Sequence, residues 1–379
     1  MADITIQTTH VGSLPGPPDF DAMAQNEEAL RSAVRWIVDQ QRAVGIDIIN
    51  EGELAKGGDW LSFADSRLGG FEACAVPATG SMLLRGKDRQ QFADFYRYAT
   101  ERQTLFFTAD DRIKATRRYT AATAAVTYTG MAALTREIEL LRGAVGDTRG
   151  CFLTSTAPSS LEVYRANEYY KSAEEYVFAL ADALRVEYEA IVNGGFVLQV
   201  DDAWMVALWD RIGIEMGLAA FKKYCMVRVE ALNHALRNIP EDLVRYHLCW
   251  GSWHGPHASD LPLADIVDVM LAVKAKYYSF EAANVRHEHE YRLWERVRLP
   301  PGKVIMPGVV THSTDLIEHP ELVSERIQRF ARLVGPEHVI ASTDCGFGGR
   351  THPQIAWAKL RALSEGAALA SRALSGSNS

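Results

Sequence analysis

The stretch AEEYVFALADALRVEYEAIVNGGFVLQVD (Ala173–Asp201) contains the pattern on which the fold prediction rests. Its first part, Ala173–Val192, repeats apolar residues with the period of an amphipathic helix. Two glycines interrupt this pattern, and the short apolar run Phe196–Asp201 that follows is typical of a buried strand. A helix that leads through a glycine break into a buried strand is the repeating unit of an α/β fold with a parallel sheet.

The same alternation recurs along the chain. Further amphipathic stretches predict helices over Glu27–Val44, Leu218–Leu236 and Glu321–Val334. Eight apolar or β-branched runs predict strands: Ile4–Ser13, Ile46–Glu53, Cys151–Pro158, Phe196–Asp201, Val244–Gly251, Tyr277–Ala283, Val304–Val310 and Val339–Gly346. Eight such units predict a closed (β/α)8 TIM barrel, with an open doubly wound sheet as the alternative.

One long segment does not fit this repeat. Residues 66–130 are rich in arginine and aromatic residues and carry their own β-like run, Tyr119–Tyr128. We interpret this segment as an insertion after the second strand that forms a hairpin or lid, because long ordered insertions are usually functional or structural excursions. We therefore predict a single TIM-barrel catalytic domain over residues 1–379, with residues 374–379 as a frayed tail.

Composition and charge limit the classes of partner. The net charge is −8 and no run of Lys or Arg occurs, which argues against nucleic acid or an anionic membrane as a partner. No uncharged apolar stretch reaches the ~18 residues that a membrane-spanning helix needs. The first residues lack the features of a signal peptide, so we expect a cytoplasmic protein whose five cysteines are reduced thiols. Homo-oligomerisation stays open.

The candidate site lies where the predicted strands end, because the carboxyl ends of barrel strands carry the chemistry of this fold. His247 and Cys249 are two residues apart on one strand, so both side chains point to the same face. Glu281 and Cys345 end two later strands. One imidazole, two thiolates and a carboxylate form a donor set that favours Zn²⁺ in tetrahedral geometry.

Other polar side chains end the remaining strands or follow them. Glu53 and Asp201 are candidates for general acid–base work or for binding a substrate amine, and the alternative is that they close hydrogen-bond networks in the barrel core. The loop residues Trp253 and His254 either recognise substrate or shape the rim of the site. The further candidates at strand ends are His10, Ser13 and His312.

Together these motifs resemble the catalytic barrel of cobalamin-independent methionine synthase and its single-barrel relatives. The resemblance rests on Thr8–Pro15, Asn50–Glu53, Leu198–Asp201, His247–Cys249, Phe280–Glu281, Pro307–Ser313 and Thr343–Gly346. Within that family, Cys249–His257 and Ser342–Arg350 look more like epoxyalkane–coenzyme M transferase. The run Asp201-Asp202-Ala203-Trp204 departs from the Asp-Glu-Pro-Ala run of methionine synthases.

The resemblance implies a zinc-dependent thiol alkyltransferase acting on a small thiol and a small electrophile. A free thiol has a pKa near ~8.5, and coordination to zinc keeps it deprotonated as a nucleophile. The main interpretation is attack on an epoxide, and the alternative is a methionine synthase-like methyl transfer from methyl-folate or another donor. By resemblance, Ser13, Glu53 and Asp201 orient the thiol, while His312 is our candidate general acid and Glu281 the ligand that yields to substrate.

Two hypotheses from other classes remain. A zinc-storage or regulatory barrel without catalysis would have a closed four-ligand site that no thiol can enter. A metal-free decarboxylase barrel of the uroporphyrinogen type is the weaker of the two, because it leaves His247, Cys249 and Cys345 unexplained.

Overall fold

The computed structural model describes residues 4–18, 20–21, 26–57, 62–75, 85–105 and 119–376. The strands in this part of the chain are β1 Leu68–Ala73, β2 Thr120–Tyr128, β3 Phe152–Thr156, β4 Arg165–Asn167, β5 Val197–Asp202, β6 Val244–Leu248, β7 Tyr277–Phe280, β8 Val304–Val310 and β9 Ser342–Thr343. The α-helices are α1 Glu27–Ala43, α2 Lys87–Gln91, α3 Ala93–Glu101, α4 Met131–Val145, α5 Pro158–Leu161, α6 Ala173–Asn193, α7 Ile214–Met216, α8 Leu218–Ala235, α9 Leu263–Leu271, α10 Pro320–Val334 and α11 Pro353–Gly376. Shorter helical turns cover Leu54–Lys56, Ser62–Ser66, Trp209–Gly213, Glu241–Leu243, Glu288–Glu295 and Pro336–His338.

A curled parallel sheet of six strands, in the order β3-β5-β6-β7-β8-β9, forms the centre of the fold. Helices α6, α8, α9 and α10 lie in the connections between its strands, as the alternating pattern of the sequence predicts. The mixed α/β class and the parallel sheet are therefore confirmed.

Two of the eight predicted strands take a different form. The segments Ile4–Ser13 and Ile46–Glu53 contribute isolated parallel bridges, Thr8 to Ala341 and Ile49 to Cys151, rather than full strands. The amide of Ile48 donates to the carbonyl of Thr8 at 3.0 Å, so backbone hydrogen bonds connect β9 through both segments to β3. Pairing in the second segment stops early because Gly52 and Glu53 have left-handed φ angles of 69° and 62°, which a strand does not accommodate.

The helices follow the predicted periodicity closely. Each of the four predicted helices is present, with ends within a residue of the expected positions. Two of them begin at side-chain caps: Asn26 accepts from the amide of Ala29 before α1, and Ser172 accepts from the amide of Glu175 before α6. Local signals determine these ends, which explains why the sequence predicted them well.

Successive side chains of β6 point alternately to the apolar core under the helices and to the inside of the curled sheet. Tyr246 and Leu248 are fully buried among the apolar residues under the helices. Arg245 and His247 point to the opposite face, inside the curl of the sheet. There, Arg245 donates to the hydroxyl of Thr9 at 3.1 Å and lies 3.7 Å from the centre of the Phe152 ring. Burial lowers the pKa of Arg245 to about 9. The interior of the sheet is therefore polar, and neighbouring segments satisfy these groups only in part, since Nε of Arg245 and Nε2 of His247 have no hydrogen-bond partner.

The predicted insertion contains a second, smaller sheet. Within residues 66–130, β1 and β2 pair as antiparallel strands, and β2 also pairs in parallel with β4. Helices α2 and α3 lie between β1 and β2 in the chain. Residues 76–84 and 106–118 of this segment lie outside the described residues. Its status as an insertion within a single domain stays a prediction.

Residues 374–376 of the expected frayed tail are helical. Helix α11 continues to Gly376, and Leu374 is buried. The hydroxyl of Ser375 accepts from the amide of Ile4 at 3.1 Å, which ties the last turn to the start of the described chain. Residues 377–379 lie outside the described residues. In the described part of the chain, no helix has the length and apolar character needed to cross a membrane.

Gly308 of β8 provides a test of how tightly the sheet is packed. A methyl group at this position would lie 2.1 Å from a carboxylate oxygen of Asp344 and 2.7 Å from its backbone. Because overpacking typically costs about 1–3 kcal/mol, we expect Gly308→Ala to lower the free energy of unfolding by at least this amount in urea titrations.

Gly143→Ala is the matched control for this substitution. Gly143 lies inside α4, and a methyl group there would meet only the guanidinium of Arg31 at 3.9 Å. An alanine inside a helix is favoured over glycine by roughly 0.5–1 kcal/mol, so this variant should be as stable as the original chain or more stable. A Gly308→Ala protein with unchanged stability would contradict the packing described here.

Candidate metal and substrate site

Parallel pairing places the predicted site residues in one row. Asp201 of β5 is opposite His247 of β6, and His247 is opposite Ser279 of β7. Directly paired residues of neighbouring strands project to the same face, so these three side chains meet inside the curl of the sheet. Cys249 follows β6 by one residue, and Cys345 follows β9 by two. The row therefore connects the candidate substrate residues to the candidate metal ligands.

His247, Cys249 and Cys345 form a compact and buried group. One ligand atom from each residue lies within 4.8 Å of the others, and the two sulfur atoms are 4.0 Å apart. The Nε2 atom of His247 is buried without a hydrogen-bond partner, while its Nδ1 atom lies 2.9 Å from the hydroxyl of Ser279. A buried nitrogen without a partner is costly, and a ring oriented through its other nitrogen is typical of a metal ligand.

The two thiols share their protons unequally. The hydrogen bond with Cys345, together with burial, raises the pKa of Cys249 well above its ordinary value. The hydrogen bond from Cys249 holds the pKa of Cys345 well below its ordinary value, despite burial. The hydrogen bond between the two sulfur atoms therefore favours the thiolate form at Cys345 and the thiol form at Cys249. Because thiolate and imidazole donors at this spacing are the ligands of structural and catalytic zinc, the three residues fit a zinc ion.

Glu281 lies beside this group but has other partners. Its Oε1 atom is 3.7 Å from the sulfur of Cys249 and accepts from the amide of Trp250 at 3.0 Å. Its Oε2 atom accepts from the side chain of Asn284 at 2.9 Å. Burial raises the pKa of Glu281 to about 8, so the carboxyl is mostly neutral at pH 7. The metal-binding group found in the described residues does not include Glu281, and its role as a fourth ligand stays a prediction.

A cavity of about 260 Å³ opens onto the metal-binding group. Such a volume is slightly below the usual range for small-molecule sites, about 300–1,000 Å³. Its lining includes three predicted ligands and four predicted substrate residues: His247, Cys249, Cys345, Ser13, Glu53, Asp201 and Trp253. The structure thus brings seven of the eleven candidate residues to one cavity.

Two carboxylates face this cavity in different electrostatic states. Burial, together with the negative charge of Glu53, raises the pKa of Asp201 to about 7, although the charge of His247 opposes this shift. Glu53 accepts from the hydroxyl of Thr154 at 2.6 Å and lies 3.7 Å from the ammonium of Lys56. Glu53 thus has a cation beside it, whereas Asp201 titrates near neutral pH. Together the two carboxylates can hold a substrate ammonium group or exchange a proton with it.

Lys56 is a residue that the sequence analysis missed. Its ammonium is almost completely buried, donates to the carbonyl of Thr154 at 2.8 Å, and lies 3.9 Å from Glu137. Glu137 and Glu187 in turn pair with Arg67, which immediately precedes β1. Lys56 lies three residues after Glu53, in the turn Leu54–Lys56, and this spacing was a sequence signal for an ion pair between them. The other partners of Lys56 are distant in sequence.

His10 does not line the cavity. Its Nε2 atom lies 2.7 Å from the side-chain oxygen of Gln41, and its Nδ1 atom accepts from the amide of Gly12 at 3.1 Å. Gln41 also donates to the carbonyl of Asn50 at 2.7 Å. Burial lowers the pKa of His10 to about 3, so the ring is neutral at pH 7. In this position His10 holds two loops together, and its predicted role in binding substrate stays a prediction.

His254 and His312 lie near the cavity but outside its lining. Both are buried to a large degree, and each has a ring nitrogen without a hydrogen-bond partner, Nε2 of His254 and Nδ1 of His312. Burial, assisted by the positive charge of Arg350, lowers the pKa of His312 to about 3. Burial also lowers the pKa of His254. Both rings are therefore neutral at pH 7 in the free chain.

Metal analysis of cysteine variants tests the metal-binding group. We expect about one zinc ion per chain, and we expect Cys249→Ala and Cys345→Ala each to lose most of it because each removes one of the two sulfur donors. Cys225→Ala is the matched control, since this buried thiol lies in α8 within the apolar core. Zinc content equal to that of the original chain in both cysteine variants would rule out this site.

Comparisons with known proteins agree with the fold. No protein-family model matches the chain. It is 26% identical over 222 residues to the methionine synthase of Thermococcus kodakarensis, which covers 58% of this chain and 57% of that protein. It is also 26% identical over 217 residues to the methionine synthase of Saccharolobus solfataricus, with 56% of each covered. The chain therefore aligns with just over half the length of these curated relatives.

A solved structure extends the likeness to the whole fold. The B12-independent methionine synthase from Shewanella sp. W3-18-1, in complex with selenomethionine, has a TM-score of 0.71 to this chain at 20% identity. The match covers 98% of this chain and 99% of that one, so the two share their fold. The curated relatives and the shared fold agree with the resemblance carried by the sequence motifs, and the chain is similar to cobalamin-independent methionine synthases.

Proposed function

We propose that the chain is a zinc-dependent thiol methyltransferase, which transfers a methyl group from a small donor to a small thiol. The observation that carries this proposal is a buried group of one histidine and two cysteines that opens into a cavity with two carboxylates. Zinc at His247, Cys249 and Cys345 would supply a bound substrate thiol with the charge that keeps it deprotonated and nucleophilic.

The electrophile is the point at which this proposal departs from the main interpretation of the sequence. The motifs around Cys249 and Cys345 favoured an epoxide, whereas the relatives reported above are methionine synthases. The Shewanella relative was solved with selenomethionine, an amino acid that carries a methyl selenoether. These relatives support the methyl donor, and opening of an epoxide is the second candidate, supported by the sequence motifs alone.

The residues of the cavity have complementary roles in this reaction. Glu53 and Asp201 would bind the ammonium group of an amino-acid thiol, with the ammonium of Lys56 lying 3.7 Å from the carboxylate of Glu53. Ser13 would contribute a hydroxyl hydrogen bond to the same substrate. Trp253 and His254 would form part of the wall around the donor. Attack of the sulfur breaks the bond between the methyl carbon and its carrier, and the carrier then needs a proton.

His312 is the proposed source of that proton. Its ring is neutral in the free chain, so the proton must arrive with the substrates, and the proton that the thiol loses on binding can supply it. Transfer of this proton to the carrier balances the reaction, since the thiol and the methylated carrier become a methyl thioether and a protonated carrier. We further infer that the segments 4–13 and 46–53 complete an eight-stranded barrel, with residues 66–130 as an insertion that covers it.

Product analysis distinguishes the candidate functions. Zinc-loaded protein is incubated with homocysteine and either 5-methyltetrahydrofolate, methylcobalamin or propylene oxide, and products are identified by mass spectrometry. We expect methionine from a methyl donor, and we expect its formation to cease after removal of zinc by a chelator and in Cys249→Ala. A hydroxypropyl thioether without methionine would instead support the epoxide reaction, and the absence of thiol binding would support a storage function.

His312→Gln tests the proton donor. Because a general acid typically contributes ~10²–10⁴-fold, we expect kcat to fall by at least about a hundredfold while zinc content and KM for the thiol stay unchanged. His289→Gln is the control, since His289 is exposed on the same chain. Loss of zinc from His312→Gln, or nearly normal turnover, would exclude this role and make His254 the next candidate.

A further inference from the structure

Three arginine side chains line the same cavity as the metal-binding group. They are Arg89 of α2, Arg211 of the turn Trp209–Gly213, and Arg350, which follows β9. They come from separate parts of the chain, so neither a local motif nor helix periodicity brings them together. The sequence analysis singled out none of them as a binding residue.

The neighbours of these arginines neutralise their charges only in part. Arg211 is buried, its Nη1 atom donates to the carbonyl of Ala207, and its Nε atom is buried without a hydrogen-bond partner. Arg350 donates to the hydroxyl of Ser252 and to the carbonyl of Gly348, both neutral groups. Among the described residues Arg89 has no ion pair, and its guanidinium lies 4.3 Å from the centre of the Tyr96 ring.

Two nearby carboxylates, Asp210 and Asp88, offset part of the charge of the three arginines. Asp210 lies 3.8 Å from Arg211, but it accepts from the amide of Asp88 at 2.9 Å. Asp88 accepts from the hydroxyl of Tyr96 and from the amide of Ala258. Burial lowers the pKa of Arg211, and the positive charge of Arg89 lowers it further, although Asp210 opposes both effects. The arginines therefore leave an excess of positive charge in a partly desolvated place.

Two tryptophans hold the buried guanidinium in position. Arg211 lies 4.9 Å from the centre of the Trp253 ring and 5.3 Å from the centre of the Trp204 ring. Cation–π contacts of this kind hold the guanidinium in place, and its Nε donor is left without a hydrogen-bond partner. A planar, pre-oriented cation with an unused donor is suited to a carboxylate or sulfonate, which accepts two parallel hydrogen bonds.

We propose that Arg89, Arg211 and Arg350 form a subsite for an organic anion, a carboxylate or sulfonate carried by the molecule that reacts at the metal-binding group. The inference rests on the proposed function and specifies its substrate class. Glu53 and Asp201 line the same cavity, so an anionic end is directed to the arginines and a cationic end to these carboxylates. The anion belongs either to the acceptor thiol or to the methyl donor.

Calorimetric titration of zinc-loaded protein with matched thiols tests the subsite. The probes are 3-mercaptopropionate, 3-mercaptopropanesulfonate and the neutral 3-mercapto-1-propanol. Because a hydrogen bond to a charged group contributes about 1.5–3 kcal/mol, an anionic thiol should bind roughly tenfold to a hundredfold more tightly than the neutral one. Arg211→Met should remove this difference and leave the affinity for the neutral thiol unchanged.

A control variant, a replacement variant and a second titration series identify which substrate carries the anion. Arg97→Met is the control, because Arg97 is exposed on α3 and pairs with Asp94. Arg89→Met replaces Arg211→Met if the latter does not fold, as judged by circular dichroism. In the second arm, 5-methyltetrahydrofolate is titrated in the presence of saturating 3-mercapto-1-propanol. If Arg211→Met weakens the binding of 5-methyltetrahydrofolate but not that of the anionic thiols, the anion belongs to the methyl donor.

The outcomes separate this inference from the proposed function. Equal affinity for charged and neutral thiols, together with a folate affinity that the arginine variants do not change, would overturn the subsite and leave the proposed function standing. If no thiol binds, the proposed function fails, and propanesulfonate, which has no thiol, then decides on the subsite by itself. Binding of propanesulfonate to the original chain and its loss in Arg211→Met would support the subsite, and no binding would refute it.

Discussion

The carboxylate of Asp344 is the interaction on which the geometry of the site depends. It is completely buried and accepts hydrogen bonds from the amides of Ala282, Ala283 and Asn284 at 2.7–2.8 Å. These amides follow β7 and Glu281, whereas Asp344 precedes Cys345. One carboxylate therefore fixes the loop of Glu281 against the loop of Cys345 across the edge of the sheet. Hydrogen bonds of this charge-assisted kind are strong and directional, and they allow little adjustment in the distance between the two loops.

The arrangement around Asp344 combines with the alternation of β6 to define the site. Alternation directs Arg245, His247 and Cys249 to the inside of the sheet, and the paired loops bring Cys345 to them. Arg245 sits deepest in this column and donates to the backbone of His10, so it also anchors the first segment of the chain. The strands and the loops paired by Asp344 therefore hold the metal-binding side chains in position, and no lid is needed to place them.

The sequence predicted those features that depend on neighbours in the chain. The helix ends follow from caps and periodicity, and the pair His247 and Cys249 follows from a spacing of two on a strand. Prediction from the sequence failed where segments that are distant in the chain meet in the fold. The segment Ile46–Glu53 was expected to be a strand, but the left-handed conformation at Gly52 and Glu53 limits it to one bridge. Lys56, Arg89 and Arg211 were missed because the fold brings them to the site from segments that lie far from the other site residues in sequence.

The buried charges beneath the cavity also constrain how this chain can change over evolutionary time. Lys56, Glu137, Glu187 and Arg67 connect the residues around Glu53 with the hydroxyl of Tyr128 at the end of β2. Removal of one partner from a buried pair typically costs about 3–5 kcal/mol, whereas joint replacement by apolar residues is often neutral. Substitutions at these positions are therefore strongly epistatic. Each is deleterious alone and tolerated in combination, so the four residues should be inherited, or replaced, as a set.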